Sequence, residues 1–241
     1  MMELYTVASG SKGNCHILNT EKGQLLIECG VANRTLIQAM AYDFRQLHGC
    51  IISHAHNDHS RDRSELVNYG VNIFAPYDFM GDEARLKHKW ATDTFTVYSI
   101  PLMNPKTLHW LHTDGKFGRS ECPVYAFFIL ACGKVIFYIT DAAYCPYNLS
   151  KRKINTMIIG CNYEDDAEVS EAKRTHVYRG HLSLNTVKDM LRVNQTDSLE
   201  HVILCHLSQT ADWGRILREV KEVVGPNVTV NIAEPKRSLP I

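Results

Sequence analysis

Short apolar runs separated by polar or glycine-bearing turns dominate the first quarter of the chain, and they predict strands over residues 4–8, 15–18 and 24–29. Ser9-Gly10-Ser11-Lys12-Gly13-Asn14 is the first turn. Its glycines allow close backbone approach, which by itself is weak support for a phosphate cradle. The spacing of Leu36, Ile37 and Met40 predicts a helix over 33–40 with Asn33 as its cap. Cys50-Ile51-Ile52 reads as a strand ending at Ser53, followed by a helix that finishes over 65–69 and a strand over 71–75 closed by Pro76. Residues 78–94 are polar and helix-like, suited to covering a core. Two strong strands, 124–130 and 134–140, flank Ala131-Cys132-Gly133 as a hairpin. The remaining pattern gives a strand at 157–159, an amphipathic helix over 184–193 with Val187, Met190 and Leu191 inward, and a strand at 202–205. A helix over 212–224, stopped by Gly225-Pro226, and a strand over 228–232 complete it. Strand-rich halves that each close with helix–strand units predict an α/β fold. It has two mixed sheets face to face with helices outside, as one domain over 1–241.

Composition narrows the class. A 45% apolar fraction suits a globular core, and no apolar run approaches the roughly 20 residues of a membrane span. Met1-Met2-Glu3-Leu4-Tyr5-Thr6 reads as a first strand rather than a signal peptide, so a cytoplasmic location without membrane contact is expected. The eight cysteines are scattered without a CxxC pair, and Cys50, Cys132 and Cys205 lie in apolar runs, which predicts buried free thiols in a reducing compartment. A formal net charge of zero gives no global attraction to nucleic acid. Lys151-Arg152-Lys153 and Lys173-Arg174 are the candidate local basic patches.

The chemistry concentrates in His54-Ala55-His56-Asn57-Asp58-His59. Three imidazoles and a carboxylate this close have little use without a cation, and nitrogen with carboxylate oxygen suits zinc, iron or manganese. His54 and His56 are two apart and point the same way in an extended segment, whereas Asp58 and His59 are adjacent and project differently, enough for a second ion. Asp141 follows one strand directly, as a bridging carboxylate would, and His206 ends another. His112 would close the first metal, with His109 three residues earlier as its competitor.

These residues together resemble the metallo-β-lactamase-fold hydrolases, in particular the YycJ-like branch near the RNase Z-type phosphodiesterases. Residues 9–15 match the branch's SGSxGN turn, and residues 54–59 match HxHxDH. Thr140-Asp141 matches its aspartate after a strand, Gly180-His181-Leu182-Ser183 its GHLS element, and His206-Leu207-Ser208 its HLS element. The resemblance implies the αββα sandwich and a pair of ions, two Zn2+ with Mn2+ or Fe2+ as alternatives. His54, His56 and His112 would hold one ion, Asp58, His59 and His206 the other, with Asp141 bridging. Asp58 and His181 are the implied catalytic residues, and His181 matches the general acid of the nuclease relatives. Glu28 departs from the usual aspartate of the LLIDCG strand, implying a longer or re-aimed hydrogen bond, and Gly160-Cys161-Asn162 replaces a more acidic pattern.

The expected reaction is hydrolysis of a phosphodiester by a bridging hydroxide, with His181 protonating the leaving oxygen. The substrate is either nucleic acid, trimmed exonucleolytically, or a cyclic nucleotide. The chain is too short for the inserted domain of the large processing relatives, and it shows no long basic arm. A carbonyl hydrolase of lactonase or glyoxalase type, or a non-catalytic metal-binding sensor, is the alternative on the same scaffold. Nothing in the pattern specifies oligomeric state, and a homodimer is compatible with it.

Overall fold

The computed structural model describes residues 2–78, 88–107, 109–114, 120–167 and 177–241. Its strands are β1 (Met2–Ala8), β2 (Cys15–Thr20), β3 (Gly23–Ile27), β4 (Leu47–Ile51), β5 (Ile73–Phe74), β6 (Lys89–Ala91), β7 (Thr96–Pro101), β8 (Thr113–Asp114), β9 (Ser120–Glu121), β10 (Tyr125–Ala131), β11 (Lys134–Ile139), β12 (Thr156–Gly160), β13 (His201–Cys205), β14 (Thr229–Ile232) and β15 (Arg237–Pro240). One mixed sheet has the order β15-β1-β2-β3-β4-β5 and the other β14-β13-β12-β11-β10-β7-β6, while β8 and β9 pair by themselves.

Three apolar layers join these sheets to the helices, and together they make the expected αββα sandwich. Leu18, Leu25 and Ile27 of the first sheet meet Phe127, Tyr138 and Ile203 of the second in the space between them. The outer face of the first sheet packs Ile17, Leu26 and Cys50 against Leu36 of α1 (Asn33–Ala39) and Leu66 of α3 (Arg63–Asn68). The short α2 (Asn57–Ser60) lies between those two helices in sequence. On the other outer face, Phe137, Met157 and Val202 pack against α4 (Leu184–Asn194) and α5 (Trp213–Val224). Ser183 caps α4 by accepting from Thr186 N, and Asp212 caps α5 by accepting from Arg215 N, each satisfying an amide that the helix leaves unpaired.

Several local expectations are corrected. Ala32, without a side-chain bond, takes the N-cap position of α1; Asn33 is its first residue and uses its amide on Asp62, 3.0 Å away. The strand expected over 71–75 contracts to the two residues that pair with β4. Of the polar cover expected over 78–94, residues 79–87 lie outside the described residues, but Lys89–Ala91 is the edge strand β6 rather than helix, paired to β7. Neither β7 nor β15 follows from the alternation; both are fixed by the neighbours that complete their hydrogen bonds. Cys132 sits exposed in the β10–β11 turn with φ 52°, and Cys145 is half-buried, while the other six thiols are buried and all eight are free. Lys151-Arg152-Lys153 is an exposed turn in which Arg152 lies over the Phe128 ring; Lys173-Arg174 lies outside the described residues. No helix among the described residues is long and apolar enough to cross a membrane.

The glycines of the first turn serve close approach to other backbone. A Cβ on Gly13 would stand 2.5 Å from the Gly30 carbonyl oxygen, and one on Gly30 would stand 1.7 Å from that of Asp58. Asn14 N donates to Asp58 O at 2.7 Å and Gly30 N to Asn14 O at 2.9 Å, so three segments are sewn into one layer under residues 58–59. Gly30→Ala is therefore expected to destabilise the protein by about 3 kcal/mol, the upper end of the usual overpacking cost. An unfolding free energy from urea titration within about 0.5 kcal/mol of wild type would contradict this packing.

Candidate metal centre

The residues expected at the centre come from strand ends, from the loops beside them and from the short helix α2, which carries Asp58 and His59. The segment 54–59 follows β4, Asp141 follows β11, His206 follows β13, and His181 precedes the Ser183 cap of α4. Three strand ends turn sharply there: Glu28, Asp141 and His206 have φ of 65°, 47° and 54°. A side chain held in the left-handed region costs roughly 1 kcal/mol or more and persists only where the surroundings fix it. Here the kink turns each side chain toward the same point.

Two sets of donors converge. The rings of His54, His56 and His112 stand 4.7 Å apart pairwise, at interplanar angles of 75°, 72° and 59°, which aims three nitrogens at one point. Asp58, His59 and His206 form the second set: the Asp58 carboxylate is 3.5 Å from His59 Nε2 and 3.4 Å from His206 Nε2. Asp141 belongs to both neighbourhoods. Its Oδ2 lies 2.7 Å from His59 Nε2 and 3.4 Å from His206 Nε2, its carboxylate groups with His54 and His59, and its Oδ1 contacts His181 Nδ1. The structure thus brings together His54, His56, Asp58, His59, His112, Asp141, His181 and His206. It separates His109, whose exposed ring pairs with Glu121 instead. His112 is buried, donates Nδ1–H to the Gly180 carbonyl at 2.9 Å, and so leaves Nε2 facing the cluster, 3.0 Å from His56 Nδ1.

The donors fit a divalent cation. His54 Nδ1 lies 2.9 Å from Ser53 Oγ, while its Nε2 is buried without any hydrogen-bond partner, an arrangement that is costly unless something binds that lone pair. Burial pushes the His54 and His112 imidazoles well below their ordinary pKa, keeping them neutral and able to ligate. Burial acts the same way on His59 and His206, but the Asp141 carboxylate outweighs it, with Glu28 for His59 and Asp58 for His206, and both are raised. Burial raises Asp141 and Asp58 too, yet the surrounding histidines dominate and hold both carboxyls well below the usual range. The cluster consequently keeps two carboxylates and the His54 and His112 imidazoles in their ligating forms at neutral pH.

The supporting shell was only partly visible in the sequence. Ser9 Oγ accepts from His206 N at 2.8 Å, and the Asn14 amide lies 3.1 Å from His59 Nε2. The Asn162 amide lies 3.1 Å from His206 Nδ1 and donates to His206 O, so the less acidic segment 160–162 supplies a positioning group. Glu28 is buried beneath the cluster. It accepts from Ser53 N at 3.2 Å and from Tyr138 OH at 3.1 Å, and stands 3.4 Å from His59 Nδ1. Glu28→Gln removes the charge facing His59 and is expected to weaken metal binding about tenfold or more, read by chelator competition. Tyr138→Phe keeps that charge and is expected to cost only about 1 kcal/mol of stability. Equal metal affinity in wild type and Glu28→Gln would remove Glu28 from the shell.

Known proteins are similar to this chain in sequence and in fold. The family described as Anti-Pycsar protein Apyc1 matches residues 7–67, the part that carries the first turn and the HxHxDH segment. Exodeoxyribonuclease WalJ of Streptococcus pneumoniae serotype 2 is 33% identical over 205 residues, covering 82% of this chain and 74% of that protein. Exodeoxyribonuclease YycJ of Bacillus anthracis is 24% identical over 237 residues, covering 80% of this chain and 88% of its own. Among solved structures, the metallo-beta-lactamase fold protein YhfI from Bacillus subtilis superposes with a TM-score of 0.71 at 17% identity, over 99% of this chain and 98% of that one.

Proposed function

Because this chain belongs to the YycJ/WalJ family of metallo-β-lactamase-fold hydrolases and is a metal-dependent hydrolase of phosphodiester bonds, we propose that it cleaves nucleic-acid phosphodiesters with two zinc-class ions and a histidine proton donor. His54, His56 and His112 would hold one ion and Asp58, His59 and His206 the other, with the Asp141 carboxylate in reach of both donor sets. Ions held there supply a water of lowered pKa and neutralise charge on the phosphoryl oxygens. The observation that carries the reading is the Asp141 carboxylate, which touches the second donor set through His59 and contacts His181 through its other oxygen.

The chain's own groups do the rest. Gly180 fixes the His112 tautomer, so its Nε2 stays a ligand rather than a donor. Asp141 Oδ1 holds His181 by Nδ1, which leaves Nε2 as the atom that delivers a proton to the departing alkoxide oxygen. Asp58, the less buried carboxylate of the cluster, would orient the attacking water. A phosphodiester needs this proton donor more than a carbonyl substrate does, which favours nuclease chemistry over the lactonase or glyoxalase reading. A cyclic nucleotide is the second substrate reading, favoured by the zero formal net charge.

Metal analysis together with turnover of bis(p-nitrophenyl) phosphate tests the reading. Two ions per chain and turnover abolished by chelator and restored by Zn2+ or Mn2+ are expected. Fewer than one ion per chain after loading would overturn it, and full metal content without hydrolysis of any generic ester would leave the sensor alternative standing.

A further inference from the structure

The turn preceding His181 is fixed to the metal centre at two points, by Gly180 O on His112 Nδ1 and by His181 on Asp141. His181 N also closes the turn onto Val177 O at 3.1 Å. Tyr178 and Arg179, between these anchors, nevertheless face solvent. Tyr178 is 41% exposed, high for an aromatic ring, yet it is not loose: its ring packs 5.5 Å from that of buried Tyr163, at 44°. Tyr163 is held in turn by Leu184 N, which donates to its carbonyl at 2.9 Å, and its neighbour Asn162 contacts His206. Arg179 is exposed and has no ion pair among the described residues. Lys12, in the turn under residues 58–59, and Arg61, one helical turn beyond Asp58, are exposed and unpaired in the same sense.

We propose that Tyr178 and Arg179 form a nucleotide subsite beside the metal centre, Tyr178 stacking on a base and Arg179 contacting the phosphate of a single-stranded nucleic acid. An aromatic face next to a guanidinium is the pairing that single-strand binders use, since every base presents a π-face and every nucleotide a phosphate. The backing by Tyr163 pre-orders the ring, so little side-chain freedom is lost on binding. Lys12 and Arg61 extend the cationic side chains to two further segments around the centre, complementary to a chain of phosphates rather than to one. The inference rests on the phosphodiesterase reading and specifies which strand contact that centre makes.

Hydrolysis of two single-stranded oligonucleotides tests it, one intact and one abasic at the nucleotide beside the scissile bond, by wild type, Tyr178→Ala and Tyr178→Phe. For wild type the abasic strand is expected to show a KM about tenfold above that of the intact strand, in the range found for base–aromatic stacking. Tyr178→Ala is expected to bring that ratio to about one by raising KM for the intact strand, with kcat retained as the sign that the centre is intact. Tyr178→Phe, which keeps the ring, restores the wild-type ratio, and Arg179→Ala raises KM for both strands alike. An abasic ratio that survives in Tyr178→Ala, or that Tyr178→Phe fails to restore, overturns the subsite. So does turnover confined to 2′,3′- or 3′,5′-cyclic nucleotides, which leaves the phosphodiesterase reading intact. Wild type inert toward bis(p-nitrophenyl) phosphate as well would sink that reading too.

Discussion

Asp141→Asn is expected to lose at least one bound ion and to lower kcat/KM by about a thousandfold. Asparagine is the informative substitution because it keeps the size of the side chain and tolerates the left-handed backbone, φ 47°, that position 141 requires. An alanine there would add backbone strain to the chemical change. What asparagine removes is the charge. Asp141 is the carboxylate closest to His59, at 2.7 Å, and it also faces His206 and contacts His181. Three imidazoles would then crowd one another around a neutral amide, and breaking a buried pair of this kind costs about 3–5 kcal/mol. Each 1.36 kcal/mol is tenfold in rate, so about 4 kcal/mol corresponds to the stated thousandfold. Metal content after dialysis and kcat/KM, measured on the same preparation, check the prediction. Wild-type metal content with turnover within tenfold of wild type would show that Asp141 is not shared between the two donor sets.

His181→Ala carries the second large effect, and its size depends on the leaving group. General acid catalysis is worth about 10²–10⁴-fold where the departing oxygen must be protonated, so hydrolysis of an oligonucleotide should fall by that amount. p-Nitrophenolate departs readily without a proton, so bis(p-nitrophenyl) phosphate turnover by the same variant should fall by less than about tenfold. The contrast separates proton donation from metal support, because His181 also contacts Asp141 and groups with Asp141 and His206 as a candidate ligand. An equal loss on both substrates, accompanied by lower metal content, would make His181 a metal ligand rather than the acid.

Both predictions draw on residues that the sequence exposed to different degrees. The segment 54–59 was legible because its ligands are near neighbours in the chain, so spacing alone carries the geometry. Asp141 and His206 were legible because each follows an apolar strand, and strand ends deliver side chains to a common edge. The choice of His112 over His109 was not legible. Both sit in one stretch, Leu108-His109-Trp110-Leu111-His112, beside similar apolar neighbours, and only the fold buries one of them against Gly180 and leaves the other in solvent with Glu121. Likewise Asn33 reads as a cap by residue type, yet in the fold its amide is drawn to Asp62, at the N-terminus of α3.

What the sequence determined by itself is the chemistry: donor types, their order along the chain, and the strands and helices whose apolar period repeats over several residues. What only the tertiary structure decided is which groups share a neighbourhood. Glu28 meets Tyr138, Ser9 meets His206, and Gly30 must lack a Cβ because Asp58 O occupies that space. Strands β6, β7 and β15 belong to the same class. They gain their identity from partners distant in sequence, and the free energy that fixes them lies in hydrogen bonds and contacts that no local pattern encodes.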